Sequence, residues 1–246
     1  MTATTAEGSP NFRVGRVLAE SFRVLGSNLP AFLAIALLLL APVYLLLALW
    51  GDADAIVEPN SGLDFTVLVV ETLLGFIAEA AIVYGTFRQL QGRRSPFADT
   101  VATGLRKALP VVLVSIAAGV LTMLGLALLV IPGLVVMTVY AVAVPAAVVE
   151  HLGVGGSLNR SAALTSDCRW RVFGVILVAS AILVGAEVLL DLALDLQSHP
   201  TVSLVAAWLL SGAGTALYAV LATVTYRELR RVKEGAEVDE IAAVFD

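Results

Sequence analysis

Apolar residues gather into six long runs along this chain, at 31–50, 65–87, 110–131, 134–149, 172–194 and 202–224, with short polar connections between them. Most runs approach the ~20 apolar residues with which a helix crosses ~30 Å of hydrocarbon. The pattern predicts an all-α membrane protein of six transmembrane helices. The fourth run is shorter and contains Pro145, which predicts little tilt, a kink, or shielding by neighbouring helices. Only Pro132-Gly133 separates the third run from the fourth. Proline stops one helix and glycine permits reversal, so a tight outer hairpin is expected there.

The connections have a period of their own. Arg13, Arg16, Glu20, Arg23 and Ser27 recur at intervals of three and four, opposite Val14, Val17, Leu18, Phe22, Leu25 and Leu29. This predicts an amphipathic helix lying in the headgroup region before the chain turns inward at Pro30. A second such helix is expected from Ser95-Pro96, an N-cap followed by proline. Its face carries Phe97, Val101, Leu105 and Ala108, and it ends at Leu109-Pro110. A third, at 157–164, leads through Thr165-Ser166-Asp167 to Trp170, an interfacial anchor. The unit of amphipathic helix, inward span and outward span thus occurs three times. Two readings stay open: a three-fold repeat of helical hairpins, or the polar connections that any polytopic chain needs. Beyond the sixth run, Tyr226-Arg227-Glu228-Leu229-Arg230-Arg231 should prolong that helix to near Gly235. Val238, Ile241, Ala242 and Phe245 then share one face of a short terminal helix, suited to docking on the cytoplasmic loops or on a partner. The chain divides into a lead (1–30), a six-span bundle (31–224) and a C-terminal helix (225–246), together one polytopic domain.

Composition agrees: 246 residues, 59% hydrophobic, 14% charged, mean hydropathy +0.93. These values lie outside the range of ordinary soluble domains. Charge then supplies an orientation. All 15 Lys and Arg fall before the first run, between the second and third, between the fourth and fifth, and after the sixth. That alternation places both termini in the cytoplasm. The outer loops are small enough that random placement would put only about three basic residues there, so the weight rests on the alternation of the clusters. Arg13, Arg16, Arg23, Arg93, Arg94, Arg106, Lys107, Arg169 and Arg171 are the candidate contacts to anionic lipid. The outer connections are acidic, with Asp52, Asp54, Glu58 and Asp64 in one and Asp195 beside His199 in the other. Ala53-Asp54-Ala55 looks like a cleavage site, but the first run is too long and begins too late for a signal peptide, and a retained span is expected. The connections are too short for a separate soluble core. Cys168 is the one cysteine, which excludes an internal disulfide and predicts a reduced thiol.

Four acids lie inside or at the rim of apolar runs: Glu71, Glu79, Glu187 and Asp191. No Lys or Arg lies in any run. An ionised carboxylate at a span centre costs ~2.5–3.5 kcal/mol on insertion scales, so each needs a proton, a hydrated cavity or donors from neighbouring helices. Glu71 and Glu187 reach similar depth and could share an outward-open cavity. Glu187, Asp191 and Asp195 make a stripe down the fifth helix, and Glu79 lies nearest the membrane middle. Two readings follow: a proton or cation path or polar lipid site built on these acids, or rim acids reaching the interface with Glu79 hydrogen-bonded in packing. Ser211, Gly212, Gly214, Thr215 and Ala219 give the sixth run a small-residue face, as Ser115 and Gly119 do on the third. Close helix packing explains both, with self-association the alternative.

Enzyme signatures are poor. His151 and His199 fall on opposite predicted sides and cannot share a metal. There is no Walker-type phosphate loop. Gly153-Val154-Gly155-Gly156-Ser157 lacks the strand-turn-helix setting of a nucleophile elbow. Glu150-His151 near Arg160 reads as an ion pair at a helix end. No catalytic, metal or cofactor site is expected, and no nucleic-acid partner.

Leu129-Val130-Ile131-Pro132-Gly133, Val144-Pro145, Glu150-His151-Leu152-Gly153, Ser157-Leu158-Asn159-Arg160-Ser161, Leu164-Thr165 and Trp170-Arg171-Val172-Phe173-Gly174 together carry a resemblance. The chain resembles the multi-span membrane domain that some bacterial glycerophosphodiester phosphodiesterases carry before their catalytic domain, and the related YciC-like integral membrane proteins. Tyr226-Arg227-Glu228-Leu229-Arg230 and Lys233-Glu234-Gly235 fit the same pattern. The resemblance implies six helices in a bacterial inner membrane. It implies no phosphodiesterase activity, because the family's catalytic barrel is a separate soluble domain, and it supplies no catalytic residues. The expectation is therefore a non-catalytic protein of a bacterial inner membrane, an accessory or scaffold in envelope or lipid homeostasis. Its partners would be membrane lipids, with either a protein bound at the cytoplasmic helices or self-association through the small-residue helix faces. The alternative is a transporter or channel-like protein using the intramembrane carboxylates.

Overall fold

The computed structural model describes residues 12–50, 62–93 and 96–235. Asp52, Asp54, Glu58, Arg94, Ser95 and the terminal helix expected around Val238, Ile241, Ala242 and Phe245 lie outside the described residues. The described chain forms eight α-helices: α1 (Val14–Trp50), α2 (Gly62–Leu90), α3 (Phe97–Leu128), α4 (Val130–Tyr140), α5 (Ala143–Glu150), α6 (Gly153–Thr165), α7 (Arg169–Leu194) and α8 (Pro200–Glu234). A 3-10 turn, Leu196–Ser198, joins the last two, and no strand occurs among the described residues. Six stretches are long and apolar enough to cross a membrane, the fourth being α4 and α5 together. Their outward faces confirm the solvent. Leu49, Leu128 and Leu192 are 79%, 78% and 78% exposed, among many other exposed leucines and valines. Leaving large apolar side chains in water costs ~1.5–3 kcal/mol each, so this surface belongs in hydrocarbon. The protein is an all-α, multi-span membrane protein.

Three expectations about helix ends are corrected. Pro30 does not turn the chain: α1 runs unbroken for 37 residues with Pro30 and Pro42 inside it. At 1.5 Å per residue it is ~55 Å long, so it projects well beyond the hydrocarbon. The predicted in-plane helix is instead docked. Val17, Val24, Ile35 and Ala36 are buried in one core with Leu217, Val220, Leu221 and Val224 of α8, and Arg227 donates to Glu20 at 2.8 Å. Packing along α8 outweighs the one backbone hydrogen bond that each proline forfeits. Likewise α3 passes straight through Pro110, burying Val111 and Val114. In each of the first two hairpins the lead and the span are therefore one continuous helix, whereas the third has a separate α6.

The hairpin between α3 and α4 turns at Leu129, which is extended (φ −164, ψ 151), and not at Pro132-Gly133. Pro132 sits in the first turn of α4, where a missing N–H costs little. Gly133 serves contact, not reversal: a Cβ on Gly125 would fall 2.9 Å from the Gly133 Cα.

The fourth span breaks between Tyr140 and Ala143, and α6 supplies what the break removes. Ser161 Oγ accepts from the Val142 N–H at 3.3 Å and donates to the Val139 carbonyl at 2.7 Å. Thr165 Oγ1 reaches the same carbonyl at 3.3 Å. Ser157, Ser161 and Thr165 are fully buried beside Leu164, so three of the four residues that α6 buries are hydroxylic. A bilayer offers no water to such groups, and broken helices persist only where protein satisfies them.

Both described ends and the basic connections meet at one end of the bundle, hereafter the basic end. Arg171 donates to the Phe12 carbonyl at 3.0 Å and Lys233 pairs with Asp167 at 3.0 Å. α8 runs to Glu234 and closes on Gly235 in the left-handed region (φ 66), as its sequence leads one to expect.

Candidate functional site

α8 carries a polar stripe through an otherwise apolar span. Ser211, Thr215, Tyr218 and Thr225 follow at steps of four, three and seven, which keeps them on one face. From first to last they cover ~21 Å of helix. α2 lies alongside with Glu71 and Glu79, eight residues apart on one face. Between them is a groove of about 270 Å³ lined by Leu40, Glu71, Thr72, Phe76, Glu79, Ser211, Thr215 and Tyr218. A second hollow of about 280 Å³ continues toward the basic end, sharing Glu79 and Tyr218 and adding Ser180 and Thr225 among apolar walls. Thr72 and Tyr218 are exposed, so the groove opens sideways, toward where lipid lies.

The two carboxylates are held differently. Glu71 Oε1 accepts from Ser211 Oγ at 2.8 Å and from Tyr44 Oη at 3.3 Å. Those bonds tie α1, α2 and α8 together around one oxygen. Glu79 has no hydrogen bond or ion pair to any described residue. It stands at the junction of the two hollows, with Tyr218 bonded across to Ser180 of α7 at 2.8 Å. No Lys or Arg lines either hollow. A carboxylate in such surroundings takes up a proton or accepts a positive or hydrogen-donating group.

Glu187 is not part of this arrangement. It is exposed on α7 and lines neither hollow, so Glu71 and Glu187 share neither of them. Asp191 also lines neither hollow, and Asp195 ends α7 in the left-handed region (φ 45). Tyr218, Ser180 and Thr225 were not singled out by sequence, although the spacing on α8 was available to find the first and last. The small-residue face works in packing: a Cβ on Gly212 would fall 2.7 Å from Leu37 of α1. On α3, Ser115 is buried, while a Cβ on Gly119 would meet nothing.

At the basic end acids and bases are matched. Glu150 accepts from Arg160 Nε at 2.8 Å and from the Tyr226 hydroxyl. Arg160 also reaches Glu234, which Arg230 Nε contacts at 2.8 Å. Burial works against the Arg160 charge, yet hydrogen bonds to Glu150 and Glu234 hold its pKa above the ordinary value. The Lys233 ammonium holds the Asp167 carboxyl below its usual range. Burial pushes the neighbouring Cys168 thiol up, which keeps it protonated. Arg231 bonds Glu228 at 2.8 and 2.7 Å, and Arg16 approaches the same acid at 3.7 Å.

These contacts sort the expected lipid-binding residues. Lys107 is withdrawn: its Nζ donates to the Val148 carbonyl at 2.7 Å and touches His151, capping the end of α5. Arg16 and Arg171 are partly engaged within the protein. Arg13, Arg23, Arg93, Arg106 and Arg169 are exposed and without an ion pair among the described residues. Arg94 lies outside those residues. No group of three or more His, Cys, Asp or Glu suited to a metal occurs among the described residues. Comparison with protein-family models, with curated proteins and with solved structures finds no match to this chain.

Proposed function

We propose that this protein works without catalysis, in a bacterial cytoplasmic membrane with both termini inside, by holding the cationic end of an amphiphile in the α2–α8 groove. One observation carries the reading: Glu71 and Glu79 line a single laterally open groove that contains no basic residue. A protonated amine satisfies both requirements of the site, a donor for the unpartnered Glu79 and a positive charge among carboxylates. The apolar walls from Leu40, Phe76, Met137, Ile176 and Leu221 suit the attached chains. Such a role fits an accessory protein of envelope or lipid homeostasis, the reading suggested by the basic helices and the sparse polar interior.

The test is retention of phosphatidylethanolamine by the full chain, purified from bilayers of phosphatidylethanolamine and phosphatidylglycerol and weighed intact by native mass spectrometry. Charge-assisted hydrogen bonds contribute ~1.5–3 kcal/mol, so Glu79→Gln should release the amine lipid about tenfold more readily. Equal retention by wild type and by the Glu71→Gln/Glu79→Gln double variant would end the proposal. A second reading, a proton or cation path, is favoured by the hydroxyl stripe that continues from Ser211 to Thr225. It predicts proton entry into proteoliposomes that Glu79→Gln abolishes while lipid retention is unchanged.

A further inference from the structure

A larger cavity, about 580 Å³, lies at the basic end between α1, α2 and α3, shares no lining residue with the carboxylate groove and is independent of its reading. Its volume is in the ~300–1,000 Å³ range of small-molecule sites. The walls are of mixed character. Ala31, Phe32 and Ile35 of α1 and Phe97 of α3 are apolar, while Ser27, Asn28, Gln89, Arg93 and Thr100 are polar or charged. No carboxylate lines it among the described residues.

The rim is built. Gln89 Nε2 donates to Ser27 Oγ at 2.7 Å, and Asn28 Nδ2 donates to the Val24 carbonyl at 3.0 Å and contacts Gln89 Oε1. These bonds clamp α1 to the end of α2. Gly92 then turns back in the left-handed region (φ 71), where a side chain is strained. The Gly92 and Arg93 N–H groups close onto the Gln89 and Arg88 carbonyls at 2.9 and 3.0 Å. That reversal sets Arg93 in the cavity wall, exposed and without an ion pair among the described residues.

We propose that this cavity binds one anionic phospholipid, its phosphate against Arg93 and the amide rim, and its first acyl carbons along Ala31, Phe32, Ile35 and Phe97. Phosphate is the shared chemistry; the apolar half of the wall selects the lipid over the free ion. The position agrees, because the cavity spans the junction between the polar part of α1 and its apolar run, the level of a bilayer headgroup. Clusters of exposed arginines draw anionic lipid to this end in general, but a cavity with one cation and no acid among its described lining residues retains a single molecule.

The experiment uses the full chain in nanodiscs of phosphatidylcholine with 20% phosphatidylglycerol (about one lipid in five, ample for saturation of a site), followed by native mass spectrometry. One phosphatidylglycerol per chain should survive detergent exchange. Arg93→Gln should weaken retention about fivefold, the equivalent of ~1 kcal/mol per basic residue near an anionic surface. Ala31→Trp, which fills the cavity and leaves the charge unchanged, should abolish retention, with Ala31→Phe as the milder filling variant should the first fail to fold. Arg169→Gln, an exposed arginine outside the cavity, should change retention of the single lipid less than Arg93→Gln. Retention that survives both filling variants would show surface attraction and overturn the proposal. So would equal retention of phosphatidylcholine, or displacement of the lipid by millimolar inorganic phosphate.

Discussion

At the basic end, Glu20, Glu150, Glu228, Glu234 and Asp167 each pair with an Arg or Lys. In the α2–α8 groove, Glu71 and Glu79 have none, and Glu79 has no partner of any kind among the described residues. The same chemical group thus occurs in two settings. Where acids are matched, they join helix to helix: Glu150 alone connects α5, α6 and α8. At membrane depth no base answers the acids: Glu71 joins helices through the Ser211 and Tyr44 hydroxyls alone, whereas Glu79 makes no bond among the described residues, so its carboxylate carries a cost that packing does not offset.

The sharpest way to break this contrast is to remove one acid from each setting. Glu150→Ala leaves the Arg160 Nε and the Tyr226 hydroxyl without their shared acceptor, with Arg160 held by Glu234 alone, and should cost about 2 kcal/mol of stability, read by reversible unfolding in mixed micelles. Glu79→Gln should be no less stable than wild type, since an amide at that depth escapes the carboxylate's penalty. If the two variants lost stability equally, the groove acid would be structural. Next in size is Ser161→Ala, which deprives the Val142 N–H and Val139 carbonyl of their hydroxyl. A loss of about 1 kcal/mol is expected, with faster amide exchange at Val142. Glu20→Gln, at a part-exposed pair with Arg227, should cost only about 0.5 kcal/mol.

The smallest effect is in pH. Asp167 has a lowered pKa in the folded protein, so its tie to Lys233 is present above the ordinary carboxylate range and is lost as pH falls through the lowered value. Proteolysis near the α6–α7 connection should rise on acidification in wild type and be raised at all pH values in Asp167→Asn.

The six spans were legible because hydrophobic length is a strong one-dimensional signal, and α8 ending at Gly235 was legible from a left-handed glycine after basic residues. The helix ends at Pro30 and Pro110 were misread because proline's local cost is small beside packing along a whole helix face. The turn at Leu129 was misplaced for a related reason: Pro132 is as comfortable starting a helix as stopping one. Of the site, Glu71 and Glu79 were found through their charge. Their separation from Glu187 was not, since depth along a span says nothing about which way a helix is rotated. Ser180 and Tyr218 escaped because a lone hydroxyl on an apolar helix becomes informative only once the helix opposite is known.

The break in the fourth span also constrains how the protein is made. Val142 leaves the ribosome 19 residues before Ser161, its hydrogen-bond partner. A chain stopped between them presents a membrane segment with an unanswered N–H and an under-bonded carbonyl. The fourth segment is therefore expected to complete its insertion only when α6 arrives. Stalled chains of increasing length, crosslinked to lipid and to the translocon, would show that segment settling in one step as Ser161 emerges.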